Sequence, residues 1–449
     1  MEKRNQAAKL IIGAVVVIIA VLFLAGIVSR HEIKYKSVPL SREDIDYQQV
    51  KAPDATSADG TITASDWKAI YPDIVVSMGR NSENGDDPGE VVDYLELDPY
   101  LIEIYEGYGF AKDYGSARGH SYTLTDVAKT QRPHPAANCL TCKTPNFTKL
   151  VNDEGEGVYS RSFDEVYAQI TGNGAETVSC YTCHGNNPGN GTQPKENLTV
   201  THGYITLALG DNIGTIDPGI LACGQCHIEY YFDAETKATR MPHDSIEAMT
   251  PEATYEYYKT VLASDGTLGF YDWIQPSTGA KMLKVQHPEM ETVLLGKHTG
   301  MLNCADCHMP VVQNEKTQNI FHSHLLVSPL SDKTLLETCL ACHKDLGVST
   351  TDEMITFVRN IQDRITAEET RVGNLLAAFK RALAEANQSG AMTEEQLNEV
   401  RELYRKAQWF FDYCYVENAE GAHNSELAMR CLSTAEDLIK QGMALLGAE

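Results

Sequence analysis

The chain has 449 residues, with 37 Lys and Arg against 62 Asp and Glu and a formal net charge of −25. That balance excludes a nucleic-acid binder, because displacing counterions from phosphates takes Lys and Arg. It would also be repelled by an anionic lipid surface, so any membrane tie has to be hydrophobic. Twelve cysteines are too few for a disulfide scaffold of this size and too many for ordinary core packing.

The first predicted element is an unbroken apolar run from Leu10 to Val28, preceded by Lys3, Arg4 and Lys9. It exceeds the about 7–15 residues of a cleaved signal core and approaches the about 20 that span a bilayer. No good A-x-A cleavage site follows. Residues 1–29 are therefore read as a signal anchor or signal peptide, with the anchor favoured. Either reading puts the rest of the chain in the periplasm or on the outer face of the cell membrane. Residues 30–110 contain no cysteine, and Ser37–Gly60 reads as mostly irregular linker.

From residue 111 to 349 the pattern changes. Five CxxC pairs follow in order. The first is Cys139-Leu-Thr-Cys142-Lys143. The other four end in His: Cys180-Tyr-Thr-Cys183-His184, Cys223-Gly-Gln-Cys226-His227, Cys304-Ala-Asp-Cys307-His308 and Cys339-Leu-Ala-Cys342-His343. CxxCH is the attachment signature of c-type haem, the thiols bonding the porphyrin edge and the His the iron. Paired zinc CxxC units usually lie about 15–20 residues apart, and neither zinc nor a redox dithiol explains a His after four separate pairs. A lone CxxCK could be a decayed site or a plain dithiol. Beside four intact units it reads as a haem with a lysine ligand, the metal driving the proton off the amine. Four regular haems and one deviant suggest electron carriers serving one reactive iron.

Electron-transfer haems usually have both axial positions filled. Four distal ligands are thus wanted from His31, His120, His134, His202, His243, His287, His298, His322, His324 and His423, with Met301 and Met309 as further candidates. Spacing does not choose among them.

Residues 350–449 read as long helices. Thr350-x-x-Glu353 and Thr393-x-x-Gln396 are capping boxes. Met354, Val358, Ile361, Ile365, Val372, Leu375, Phe379 and Leu383 form a narrow apolar seam at near-heptad spacing. Asn387–Gly390 ends that helix; further helices are expected at 394–418 and 425–446. Cys414 and Cys431 flank His423 and could meet on antiparallel helices, as two buried thiols or as a disulfide.

Several motifs together resemble the ammonia-forming pentahaem cytochrome c nitrite reductases over about Tyr114 to His423. They are Arg118-Gly-His120, Thr125-Asp-Val127 leading to Arg132, the CxxCK unit and Cys223-Gly-Gln-Cys-His-Ile-Glu-Tyr-Tyr-Phe232. Lys284-Val-Gln-His-Pro-Glu289 and Cys304-Ala-Asp-Cys-His-Met-Pro310 complete the set. The resemblance implies a mainly α multihaem fold with few strands, short helices and loops around five covalent haem c groups, and long carboxy-terminal helices. It implies distal ligands His324, His120, His423 and His298 for the second to fifth haems, with His322 the rival of His324. Arg132, Tyr230 and His287 would form the pocket over the Lys143-ligated haem. One calcium ion would take the Glu229 and Gln286 side chains and the Tyr230 and Lys284 carbonyls, an all-oxygen set suited to it.

The implied activity is six-electron reduction of nitrite to ammonium. Electrons would come from a membrane quinol-oxidising cytochrome. The pattern alone fits packing within one chain equally well; the resemblance implies a homodimer paired through the long helices, which moves the reading of the seam towards an intermolecular one. Two alternatives stay open, a non-catalytic electron conduit and a related reductase of hydroxylamine or sulfite.

Overall fold

The computed structural model describes residues 34–39, 45, 50–83, 91–186 and 198–447. The apolar run at 10–28 and His31 lie outside them. Among the described residues no helix is long and apolar enough to cross a membrane.

The fold is mainly α, with seven short strands among the described residues. β1 (Tyr35–Ser37) pairs with β6 (Val311–Asn314), which pairs with β7 (Ile320–His322), all antiparallel. Two hairpins stand apart, β2–β3 (Tyr231–Phe232, Thr239–Arg240) and β4–β5 (Trp273–Ile274, Lys281–Met282). Ser37, the first residue of the expected mostly irregular linker, closes β1, and the other described residues up to Gly60 form neither helix nor strand. Tyr35 packs edge-on against Phe321, with ring centres 5.3 Å apart, and Ser37 hydrogen-bonds Asp332, so the early chain is stitched to the segment between the fourth and fifth cysteine units.

Three of the CxxC units lie within short helices with polar caps, α1 (Cys180–His184), α3 (Cys304–His308) and α4 (Lys333–His343), and the third unit straddles the end of α2 (Pro218–Gly224), which holds Cys223. Asn303 and Asp306 close a capping box on α3. Asp217 and Asp332 cap α2 and α4. The caps matter because a helix fixes positions i, i+3 and i+4 on one face. Two thiols and an imidazole then meet one porphyrin. The first unit differs, with a 3-10 turn (Ala137–Leu140) leading to Lys143.

The carboxy-terminal helices are α5 (Thr351–Ser389), α6 (Glu394–Tyr415) and α7 (Ser425–Leu446). Both predicted capping boxes are present. Gly390 ends α5 at φ 64°, a left-handed stop that glycine adopts without a Cβ clash. The seam is where expectation fails. Ile365, Val372, Phe379 and Leu383 are buried within the single chain against α6, α7 and Tyr100, and Met354 is buried against Leu336, Leu340 and Val348. Leu375 remains 37% exposed, and Leu376 takes its core place. A 3.5-residue stripe says that a face is covered, not what covers it. Gly442 lets α7 close on α5, since a Cβ there would lie 2.0 Å from the Phe379 ring. Cys414 and Cys431 are both buried free thiols. The Cys414 thiol donates to Glu369 at 3.1 Å.

Candidate haem pockets and active site

Each of the four CxxCH histidines faces a second imidazole. Ring centres are 6.4 Å apart for His184 and His324, and 6.3 Å for His227 and His120. They are 6.2 Å apart for both His308–His423 and His343–His298. A metal–imidazole nitrogen bond is about 2 Å, so an ion held between two rings puts their centres roughly 6 Å apart. The four pairs therefore fit bis-histidine haem. His324, not His322, faces His184. The His322 Nδ1–H donates to the Met309 carbonyl at 3.0 Å, and Met301 is 67% exposed.

His134, His202 and His243 are held by the fold. His134 stacks on Phe163 at 4.0 Å. His243 meets the Glu291 carboxylate at 2.8 Å with both side chains fully buried. His202, Cys142 and Cys226 lie within 4.8 Å of one another, as a metal site would. Both nitrogens of His202 are already taken, however, by Gln225 and the Thr141 carbonyl, each at 2.9 Å, and the two thiols belong to separate haem motifs. The cluster instead marks where the first and third units touch. Cys304 likewise contacts Cys223, and Cys307 neighbours Cys339. The units thus run first, third, fourth, fifth in space. Cys183 reaches the Ala222 carbonyl at 3.8 Å, which brings the second unit to the third.

Around Lys143 the sequence-predicted pocket residues converge. The Lys143 carbonyl accepts from Thr123 at 2.8 Å. The Arg132 guanidinium lies over Phe110, 4.4 Å from the ring centre, and its Nε–H donates to Thr130 at 3.0 Å. Thr130 in turn donates to Asp113 at 2.6 Å. Burial beside Cys142, Cys139 and Glu229 holds the Tyr230 phenol well above its ordinary pKa, so it stays protonated. Burial lowers His287 to about 4. Phe110 went unnoticed in the sequence, yet its ring meets two cations, the Lys284 ammonium lying 5.0 Å from its centre.

Glu229, Tyr230, Lys284 and Gln286 also come together. Glu229 is fully buried. Its carboxylate accepts from the Gln286 N–H at 2.6 Å and the Tyr258 hydroxyl at 2.7 Å. The Gln286 amide touches the Lys284 carbonyl at 3.0 Å. Asp272 accepts from the Lys284 N–H at 2.8 Å. Burial raises Glu229 well above the carboxylate range and Asp272 to about 6. Buried carboxylates without a full counter-charge, next to a carbonyl and an amide oxygen, fit a hard divalent cation. Tyr258 and Asp272 gave no sequence signal, because they reach this point through the fold.

Residues 65–448 match the cytochrome c552 family. The catalytic subunit of cytochrome c nitrite reductase from Desulfovibrio desulfuricans, described as having two calcium sites, is 27% identical. It covers 87% of both chains with a TM-score of 0.76. The outer cell wall cytochrome OcwA is 16% identical over 71% of this chain and 48% of its own, with a TM-score of 0.38. The undecahaem S-layer cytochrome of Carboxydothermus ferrireducens is 16% identical over 73% and 41%, with a TM-score of 0.36. With four facing imidazole pairs, five cysteine units and a match over most of its length, the chain belongs to the cytochrome c552 family.

Proposed function

We propose that the protein is an extracytoplasmic pentahaem enzyme that reduces nitrite to ammonium. The observation carrying this reading is the division among the five units. Four present paired imidazoles, and the first in the chain presents Lys143, with Arg132 and Tyr230 beside its Cys139 and His287 beside the lysine itself. When bound, the lysine-ligated haem supplies the electron-rich iron on which a small anion is reduced by six electrons and eight protons. The residues around it do the rest. Arg132 is charged at any working pH and can hold the nitrite oxygens as a fork of N–H donors. Phe110 and Thr130 fix its plane. Tyr230 offers an O–H and His287 an N–H to oxygens that leave as water. Glu229, Lys284 and Gln286 would hold calcium beside Tyr230, adding positive charge where an acidic protein must admit an anion.

The spatial order of the units supports a relay ending at the first. We also propose, from the family resemblance, a membrane quinol-oxidising cytochrome as donor and a homodimer, and, from the length of the apolar run Leu10–Val28, an amino-terminal anchor. Nitrite supplied to the purified protein with reduced methyl viologen is expected to appear as ammonium. Stoichiometric nitric oxide as product would sink the reading.

A further inference from the structure

An axial histidine is tuned from behind, through whatever its second nitrogen bonds. His324 and His308 each donate from Nδ1 to a backbone carbonyl at 3.0 Å, those of His322 and Val327. His423 differs. Its Nδ1–H meets the carboxylate of Glu417 at 2.5 Å. Glu417 is held in place, its side chain 3% exposed and its other oxygen accepting the Gly421 N–H at 3.2 Å. Gly421 has φ +78° and sits so close to Ile365 that a Cβ would approach it to 2.7 Å. The loop joining α6 to α7 is thus closely packed at Gly421, and it aims a buried carboxylate at one ligand. His227 also has a carboxylate nearby, but Glu289 lies 3.8 Å away, beyond hydrogen-bond range.

A carboxylate behind an imidazole gives the ring imidazolate character. The ring then donates more strongly to iron and favours the ferric state. A buried negative charge acts in the same direction. We propose that Glu417 makes the haem held by His308 and His423 the lowest in potential of the four relay haems. Its cysteines touch those of the third unit on one side and neighbour those of the fifth on the other. Electrons would therefore cross this haem rather than rest on it, and charge would collect at the two ends of the relay.

This inference rests on the relay reading above, and a redox titration followed by electron paramagnetic resonance separates the two. In the wild type, one low-spin haem should lie at least tenfold below the other three in reduced-to-oxidised ratio, about 59 mV for one electron. Glu417→Gln should raise that haem alone about tenfold, with five haems still bound by mass. Four wild-type midpoints within tenfold of one another overturn the proposal, and this arm needs no variant to fold. So does an unmoved midpoint in Glu417→Gln with its low-spin signal intact. A wild type lacking four low-spin haems would instead fail the relay reading.

Discussion

Arg132 shows how much of this pocket depends on single contacts. Its guanidinium is fixed by one ring and one hydroxyl, and only a planar fork can hold two oxygens while stacked. Arg132→Lys keeps the charge and loses the fork. Its kcat/KM for nitrite is expected to fall about a hundredfold, measured by steady-state kinetics; a fall under threefold would remove Arg132 from the substrate's contacts. Glu369 tests burial instead. It faces the Cys414 thiol, Glu420, Glu417 and Asp98, and burial raises it to about 7. Its folded pKa lies above the unfolded value, so its contribution is full below the unfolded value near 4.5 and is lost as pH rises through about 7. Glu369→Gln should therefore be close to neutral at pH 4 and stabilising by roughly 2–3 kcal/mol at pH 8, read from thermal melts at both pH values. Equal effects at both would contradict the assignment. At this scale the covalent residues were legible because chemistry fixes their spacing. The distal histidines were not, since His120 and His227 meet only through the fold, and their choice came from resemblance. Phe110, Asp272 and Glu417 carried no motif at all.

Elements were legible where local signals end them. Thr350, Thr393 and Gly390 mark the ends of α5 and α6 as they do in the structure. The second helix stops at Tyr415 rather than 418, where the chain turns to bring Glu417 and His423 together. β1 was missed because its three residues pair with a strand far along the chain, a contact with no local signature. The long apolar seam was real but its partner was misjudged, because α6 and α7 cover it. Gly442 lies at the tightest point of that packing, and a Cβ would overlap Phe379. Gly442→Ala should destabilise the fold by about 1–3 kcal/mol despite alanine's better helix propensity, measured by denaturant unfolding. A stabilised variant would show that α5 and α7 have room to part.

For the whole molecule, the net charge of −25 takes on a sharper meaning. Haem propionates make the assembled protein more acidic still, so an anion is admitted only where positive charge is concentrated. On the proposed reading, Arg132 and the Glu229–Gln286 cation site would provide it at the one unit that breaks the pattern. Haems fill space that side chains would otherwise occupy, which is why ten of the twelve cysteines line half-buried or exposed positions while Cys414 and Cys431 are buried. The central claim is that chemistry occurs at the lysine-ligated haem, and Lys143→His tests it most directly. Nitrite turnover should fall at least tenfold while mass spectrometry still finds five haems. Turnover equal to the wild type, with all five haems in place, would contradict the account.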